Sequence, residues 1–305
     1  MNDPVVQVQH FHKAYGNFVA VEDASFDVYR GEIFALLGPN GAGKTTTLES
    51  LEGLRQPDRG QLRVLGMDPV RDAHLLRNQI GVQLQASGMP GSITVREAMN
   101  FFCAYHQVAP RFDLLKRLEL DEKLNTQYDT LSTGQKRRLA LALAIAHRPA
   151  VVFLDEPTAG LDVISRTELH ALIEELQQQG TTIILSSHDM AEVEKLAHRV
   201  AILLHGRIAA SGTPNELTST GAGYTKISIH TEPPMQVDDF TFPGVCQHTL
   251  KDEYDVYYST DPAASVYAIL EYIKAQHDQL IDLRVERPSL EERFLEITNH
   301  REAVR

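Results

Sequence analysis

Ile33-Phe34-Ala35-Leu36-Leu37-Gly38-Pro39-Asn40-Gly41-Ala42-Gly43-Lys44-Thr45-Thr46-Thr47-Leu48-Glu49-Ser50-Leu51 is the stretch whose reading decides the fold. Residues 33–37 form an unbroken apolar run, the mark of a strand covered on both faces. Residues 45–51 read as a helix. Between them, Gly38 to Thr45 fits G-x-x-x-x-G-K-[ST]. Glycines at these positions let the backbone wrap a phosphate, with N–H groups and a helix N-terminus supplying positive potential. Lys44 is expected to reach β- and γ-phosphates, and Thr45 to put its hydroxyl on Mg²⁺. Gly38, Pro39, Asn40, Gly41, Ala42, Gly43, Lys44, Thr45 and Thr46 are therefore the nucleotide-binding candidates. A glycine-rich structural turn is the competing reading, and the strand before and helix after argue against it.

A second constellation, Val151-Val152-Phe153-Leu154-Asp155-Glu156, ends a strand of large apolar residues in two adjacent carboxylates. Burying that pair is costly unless a cation meets it. Asp155 suits a metal ion, and Glu156 can polarise an attacking water. Residues 181–186 repeat the buried-strand pattern, with a helix over 165–178 between. Such strand–helix–strand units imply parallel pairing and a layered α/β core. Residues 5–9 and 25–28 alternate as half-buried strands do. From about 89 to 146 the pattern turns helical, with 95–106 and 114–118 as candidates. Composition changes after Ser211-Gly212-Thr213-Pro214, and 218–223 reads as a linker. The remainder shows strands at 226–230 and 254–259 and a helix at 263–275, a small α+β appendage. The expected domains are 1–217, with a helical subdomain at about 89–148, and 224–305.

The 305 residues carry a formal net charge of −12, and Lys136-Arg137-Arg138 is too short a basic run to suggest a nucleic-acid partner. Two cysteines, Cys103 and Cys246, lack metal-ligand spacing and suit a reducing compartment. The opening Met1-Asn2-Asp3-Pro4 has none of the regions of a signal peptide. No stretch approaches the ~18 apolar residues needed to span a bilayer. A cytoplasmic chain is expected, whose membrane role comes through a partner.

Leu131-Ser132-Thr133-Gly134-Gln135 begins a helix running to about His147. In isolation it reads as a Ser/Thr N-cap. Placed after a phosphate loop and shortly before the Asp-Glu strand, it closely resembles the signature of ABC transporter nucleotide-binding subunits. That resemblance covers roughly residues 5–217. It implies an ABC-type P-loop ATPase core with an antiparallel β subdomain and a helical subdomain. It also implies that Ser132, Thr133, Gly134 and Gln135 cap the ATP held by an opposite protomer. Thr133 stands where the family has a glycine, a departure that bears on how tightly a dimer closes.

Other matches follow from the resemblance. Tyr15 resembles the aromatic that stacks on adenine, a tyrosine at a strand edge being the alternative. Gln85 resembles the glutamine that senses Mg²⁺, with Gln83 a nearby rival. Asp162, in Ala159-Gly160-Leu161-Asp162, resembles the residue that crosses the dimer interface, or is a simple helix cap. His188 resembles the switch histidine that meets the γ-phosphate. Asp189 and Glu192 form a candidate capping pair just after it. Because Lys44 and Ser132 serve different ATPs, the resemblance implies a homodimer, or a pair with a similar ATPase subunit. It further implies transmembrane permease subunits and a peripheral place on the inner face of the cell membrane.

Arg287-Pro288-Ser289-Leu290-Glu291-Glu292-Arg293-Phe294-Leu295-Glu296 resembles the ending of ATPases from the daunorubicin/doxorubicin-resistance type of bacterial ABC exporter. Ser289 and Glu292 form a capping box, and Leu290, Phe294 and Ile297 an apolar stripe. A dimerisation role and a helix that only packs on its own domain are both open. The expected function is an ATP-hydrolysing, Mg²⁺-dependent exporter subunit. An importer ATPase and a non-transport ABC ATPase are the alternatives.

Overall fold

The computed structural model describes residues 3–84, 88–219, 224–235, 242–286 and 289–302. They divide into two compact units, Met1–Thr213 and Pro214–Arg305.

The first unit opens with a long hairpin of β1 (Pro4–Tyr15) and β2 (Phe18–Tyr29). Both strands outrun the short alternating segments seen in the sequence, because ladder pairing continues through register shifts that break the strict alternation. Then come β3 (Ile33–Leu37), α1 (Lys44–Leu51), β4 (Arg59–Val64), α2 (Ala73–Arg77) and β5 (Ile80–Gln83). The helical stretch holds α3 (Val95–Tyr105), α4 (Phe112–Arg117), two single 3₁₀ turns and α5 (Thr133–Ile145). The unit finishes with β6 (Val151–Asp155), α6 (Val163–Gln178), β7 (Thr182–Ser187), α7 (Met190–Leu196), β8 (Arg199–Leu204) and β9 (Arg207–Gly212).

Among the described residues, nine strands form one sheet in the order β4-β1-β2-β9-β8-β3-β7-β6-β5. Its two halves differ in kind. β4, β1 and β2 pair antiparallel, while β8, β3, β7, β6 and β5 pair parallel. In the parallel half β3, β6 and β7 are buried along their whole lengths, as their unbroken apolar runs require. One core runs beneath both halves, from Val6, Val8 and Phe11 to Phe153, Ile184 and Leu203. Parallel β3, β6 and β7 bring their C-terminal ends to one edge of the sheet, where ligands bind in open α/β folds.

The second unit contains α8 (Pro214–Ser219), β10 (Thr225–Glu232), β11 (Val245–Lys251), β12 (Tyr254–Ser259), α9 (Pro262–Gln276), β13 (Gln279–Glu286) and α10 (Leu290–Glu302). α8 occupies the start of the stretch expected to be a linker. The four strands form an antiparallel sheet in the order β11-β12-β10-β13. Ile227, Ile229 and Tyr257 of that sheet pack with Ile269 and Ile273 of α9. Ser289 and Glu292 make both bonds of the capping box at 3.2 Å. Leu290 and Phe294 are buried and Ile297 half-buried, so the expected apolar stripe is the inward face of α10, which packs beside α8.

Candidate functional site

The turn from β3 into α1 needs two of its glycines for steric reasons. A Cβ on Gly38 would lie 2.3 Å from the Leu203 carbonyl oxygen. Gly43 has φ +106°, and a Cβ there would lie 2.5 Å from the Ala20 carbonyl oxygen. The loop is thus pinned against β8 on one side and β2 on the other. It faces a cavity of about 320 Å³ lined by Phe18, Ala20, Asn40, Gly41, Gly43, Lys44, Thr45, Thr46 and Glu156.

Lys44 is only 5% exposed. Its Nζ donates to the carbonyl oxygens of Gly38 (2.8 Å) and Pro39 (3.2 Å) and lies 3.8 Å from Glu156 Oε1. Burial draws the ammonium below its usual pKa, and the Glu156 and Asp155 carboxylates offset part of that shift. A cation held inside this loop by two backbone carbonyls is chemically suited to meet phosphate.

Asp155 ends β6 almost fully buried, which is tolerable because both its oxygens are used. Thr45 Oγ1 donates to Oδ2 at 3.0 Å, and the Ser186 hydroxyl of β7 donates to Oδ1. Ser186 Oγ also accepts from the Glu156 N–H at 3.1 Å. In an extended strand, adjacent side chains point to opposite faces, so Asp155 and Glu156 would diverge. Glu156 instead takes φ +47°, the left-handed region. That turn leaves both carboxylates beside the phosphate loop, Asp155 on Thr45 and Glu156 between Lys44 and His188. His188 Nδ1 lies 3.1 Å from Glu156 Oε1.

Among the described residues, no three His, Cys, Asp or Glu side chains form a metal cage. A Thr45–Asp155 pair still fits Mg²⁺, which takes one or two protein oxygens and completes its shell with phosphate and water. Thr45 is exposed, so its hydroxyl is reachable from the cavity.

Ser132 is the N-cap of α5, with Oγ accepting from the Gln135 N–H (3.2 Å) and Gln135 Oε1 accepting from the Ser132 N–H (3.0 Å). The simple capping reading therefore holds locally, and exposed Ser132 and Thr133 stay open to solvent. Gly134 approaches the next loop closely, a Cβ there falling 3.3 Å from Leu161 Cδ2. Asp162 caps α6 through Ser165 N (3.0 Å) and Ser165 Oγ (2.8 Å).

Tyr15 is 39% exposed with Lys13 Nζ 5.4 Å and the Arg55 guanidinium 5.8 Å from its ring centre. It does not line the phosphate-loop cavity. Phe18, its partner in the β1–β2 ladder, does, and is 61% exposed. An aromatic three residues after Tyr15 was a signal for it, though no motif marks that position. Gln85 lies outside the described residues. Gln83 is 2% exposed on β5, with a side-chain oxygen that has no hydrogen-bond partner among the described residues. The Asp189–Glu192 pairing is only half of a capping box. Asp189 Oδ1 accepts from the Glu192 N–H at 3.0 Å, but the Glu192 carboxylate turns inward to Ser187 Oγ (2.9 Å) and His170 Nε2 (3.2 Å). The Asp189 N–H, which a full box would give to Glu192, donates instead to Ser187 Oγ at 3.0 Å. Ser186 carries no sequence motif either, and only the β6–β7 pairing identifies it.

A family model described as ABC transporter matches residues 21–159. The chain is 36% identical over 306 residues to the Nod factor export ATP-binding protein I of Paraburkholderia xenovorans (strain LB400), covering 98% of each. It is 36% identical over 226 residues to the probable multidrug ABC transporter ATP-binding protein YbhF of Escherichia coli (strain K12), covering 72% of this chain and 39% of that one. A solved structure described as the ATP-binding subunit of an ABC transporter superposes with a TM-score of 0.66 at 27% identity, covering 70% of this chain and 91% of that one. With 36% identity across nearly the whole length of an ABC transporter ATP-binding protein, the chain belongs to the ATP-binding, ATP-hydrolysing subunits of ABC transporters.

Proposed function

We propose that this chain powers a bacterial ABC exporter, working as a dimer beneath separate transmembrane permease subunits. The observation that carries the hydrolytic part is the Glu156 carboxylate, held 3.1 Å from His188 Nδ1 and 3.8 Å from Lys44 Nζ at the mouth of the phosphate-loop cavity. In this reading the loop from Gly38 to Thr46 wraps the phosphates, and Lys44 releases its two carbonyl partners to meet them. Glu156 orients and polarises the attacking water, and His188 keeps that carboxylate aimed. Thr45 and Asp155, with Gln85 from its spacing, would hold Mg²⁺, which neutralises charge on the transferred phosphoryl group. Tyr15, and Phe18 beside it, offer aromatic faces for the adenine ring.

The exposed Ser132 and Thr133, with the half-buried Gly134 and Gln135, serve the ATP of a second copy, and Asp162 lies on the same interface. A head-to-tail pair of this kind closes as a twofold dimer with two equivalent sites. ATP favours the closed pair and hydrolysis the open one, which shifts the permease between two states. Export is supported by the relatives, named for Nod factor export and multidrug transport. Among the described residues no helix is long and apolar enough to cross a membrane, so the membrane path belongs to the partner subunits. The C-terminal unit prolongs the life of the dimer.

Replacing Glu156 with Gln tests the core of this reading. Turnover should fall by at least about 100-fold while ATP binding persists and a dimer accumulates. Unchanged turnover would remove Glu156 from the chemistry.

A further inference from the structure

Glu156 holds its carboxylate in place with a backbone conformation that residues other than glycine rarely adopt, so something must hold the backbone there. On the amide side the answer is β7. The Glu156 N–H donates to Ser186 O (3.2 Å) and to Ser186 Oγ (3.1 Å). Two donors reach its carbonyl among the described residues. One is the Ala159 N–H at 3.3 Å, a bond within the turn itself. The other comes from outside the turn. Arg137 Nη1, from α5, donates to the Glu156 carbonyl oxygen.

Arg137 stands one helical turn after Thr133, so the face of α5 that carries the signature residue also carries this guanidinium. The helix is itself fixed at its start by the Ser132–Gln135 capping box. The next residue, Arg138, turns to Glu119 on another side, so the Arg137 contact is not a general property of the basic run. Arg137 is half-buried, and a charged donor to a carbonyl in such a setting is stronger than a neutral one. Without it, the Glu156 carbonyl loses its charged donor from outside the turn, and rotation towards an ordinary extended conformation is less strongly opposed. In that conformation the side chain swings away from Asp155's side of the strand, and from Lys44 and His188.

We infer that Arg137 is a positioning residue for hydrolysis, holding the Glu156 backbone in its left-handed turn from the signature helix of the same chain. The inference rests on reading Glu156 as the water-polarising carboxylate. It goes beyond that reading by assigning a role in turnover to a residue that does not line the phosphate-loop cavity.

The test compares Arg137→Met, Arg137→Lys and Glu156→Gln in the full-length protein. Arg137→Met keeps the length and apolar stem but has no donor. It should lower kcat at least about tenfold with KM for ATP, nucleotide affinity in the absence of turnover, and Tm close to the parent. Amide hydrogen exchange across residues 155–160 should rise in the same variant. Arg137→Lys, which restores a cationic donor, should recover part of kcat and of the exchange protection. Unchanged kcat in Arg137→Met, in a background where Glu156→Gln abolishes turnover, overturns the inference alone. A loss of kcat accompanied by an equal loss of affinity or a fall in Tm overturns it too, since that is the mark of a structural tether. Undiminished turnover in Glu156→Gln overturns the reading of Glu156 and this inference with it.

Discussion

His188 Nδ1 sits 3.1 Å from Glu156 Oε1, so the residues that follow β7 and β6 meet across neighbouring parallel strands. His188 is mostly exposed while the glutamate side chain is only 11% exposed, so the histidine walls off one side of the carboxylate.

Replacing His188 with Ala removes that wall while leaving the phosphate loop untouched. We expect kcat to fall on the order of 100-fold, the scale of misaligned general-base catalysis, with ATP affinity nearly unchanged. Steady-state turnover beside equilibrium nucleotide binding checks this. A loss of affinity matching the loss of turnover would place His188 in ground-state binding instead.

Glu52 stands just after α1, 3% exposed, with no hydrogen-bond partner for Oε2 among the described residues. Burial, and secondarily the Asp155 and Glu49 charges, push its carboxyl up to about 8 from an ordinary 4.5. Below pH 4.5 the group is protonated whether the chain is folded or not. Above that the unfolded chain ionises and the folded site keeps its proton, so stability is lost progressively until the folded pKa near 8 is passed. Glu52→Gln does not titrate. Relative to the parent it should gain stability as pH rises from 5 to 9, by on the order of 2–4 kcal/mol. Denaturant melts at the two pH values measure the gap, and a gap that does not widen with pH would mean that Glu52 ionises freely.

Asp162 caps α6, and in the proposed dimer it also lies at the interface. Asp162→Ala removes the cap of α6 and should cost about 1 kcal/mol in the nucleotide-free protein. Asp162→Asn keeps an Oδ1 acceptor for the Ser165 N–H and should cost much less, yet it removes the charge offered to a second protomer. Thermal melts without nucleotide, set beside sizing with ATP in a Glu156→Gln background, resolve the two. Equal dimer formation by the Asn variant and the parent would leave Asp162 as a cap only.

The phosphate loop was legible from residues 33–51 because it is local. A buried strand, a glycine-rich turn and a helix follow one another directly, although what forbids a Cβ at Gly38 and Gly43 is the backbone of the distant Leu203 and Ala20. The runs of β6 and β7 were legible for the same reason, since strands covered on both faces must be apolar throughout. The capping boxes at Ser132 and Ser289 are likewise contained within four residues. Tertiary structure alone decided the rest. β4, β8, β9, β11 and β13 exist because partners lie beside them, and their short mixed patterns do not announce it. Which of Tyr15 and Phe18 lines the cavity depends on the twist of the β1–β2 hairpin. The two carboxylates of Asp155 and Glu156 share one side only because the backbone turns left-handed between β6 and the next loop. That conformation is supported by Ser186, 30 residues away, and by Arg137, 19 residues away. Adjacent letters specify which groups are present, and contacts between remote segments decide where they point, because a strained backbone persists only where its surroundings over-determine it.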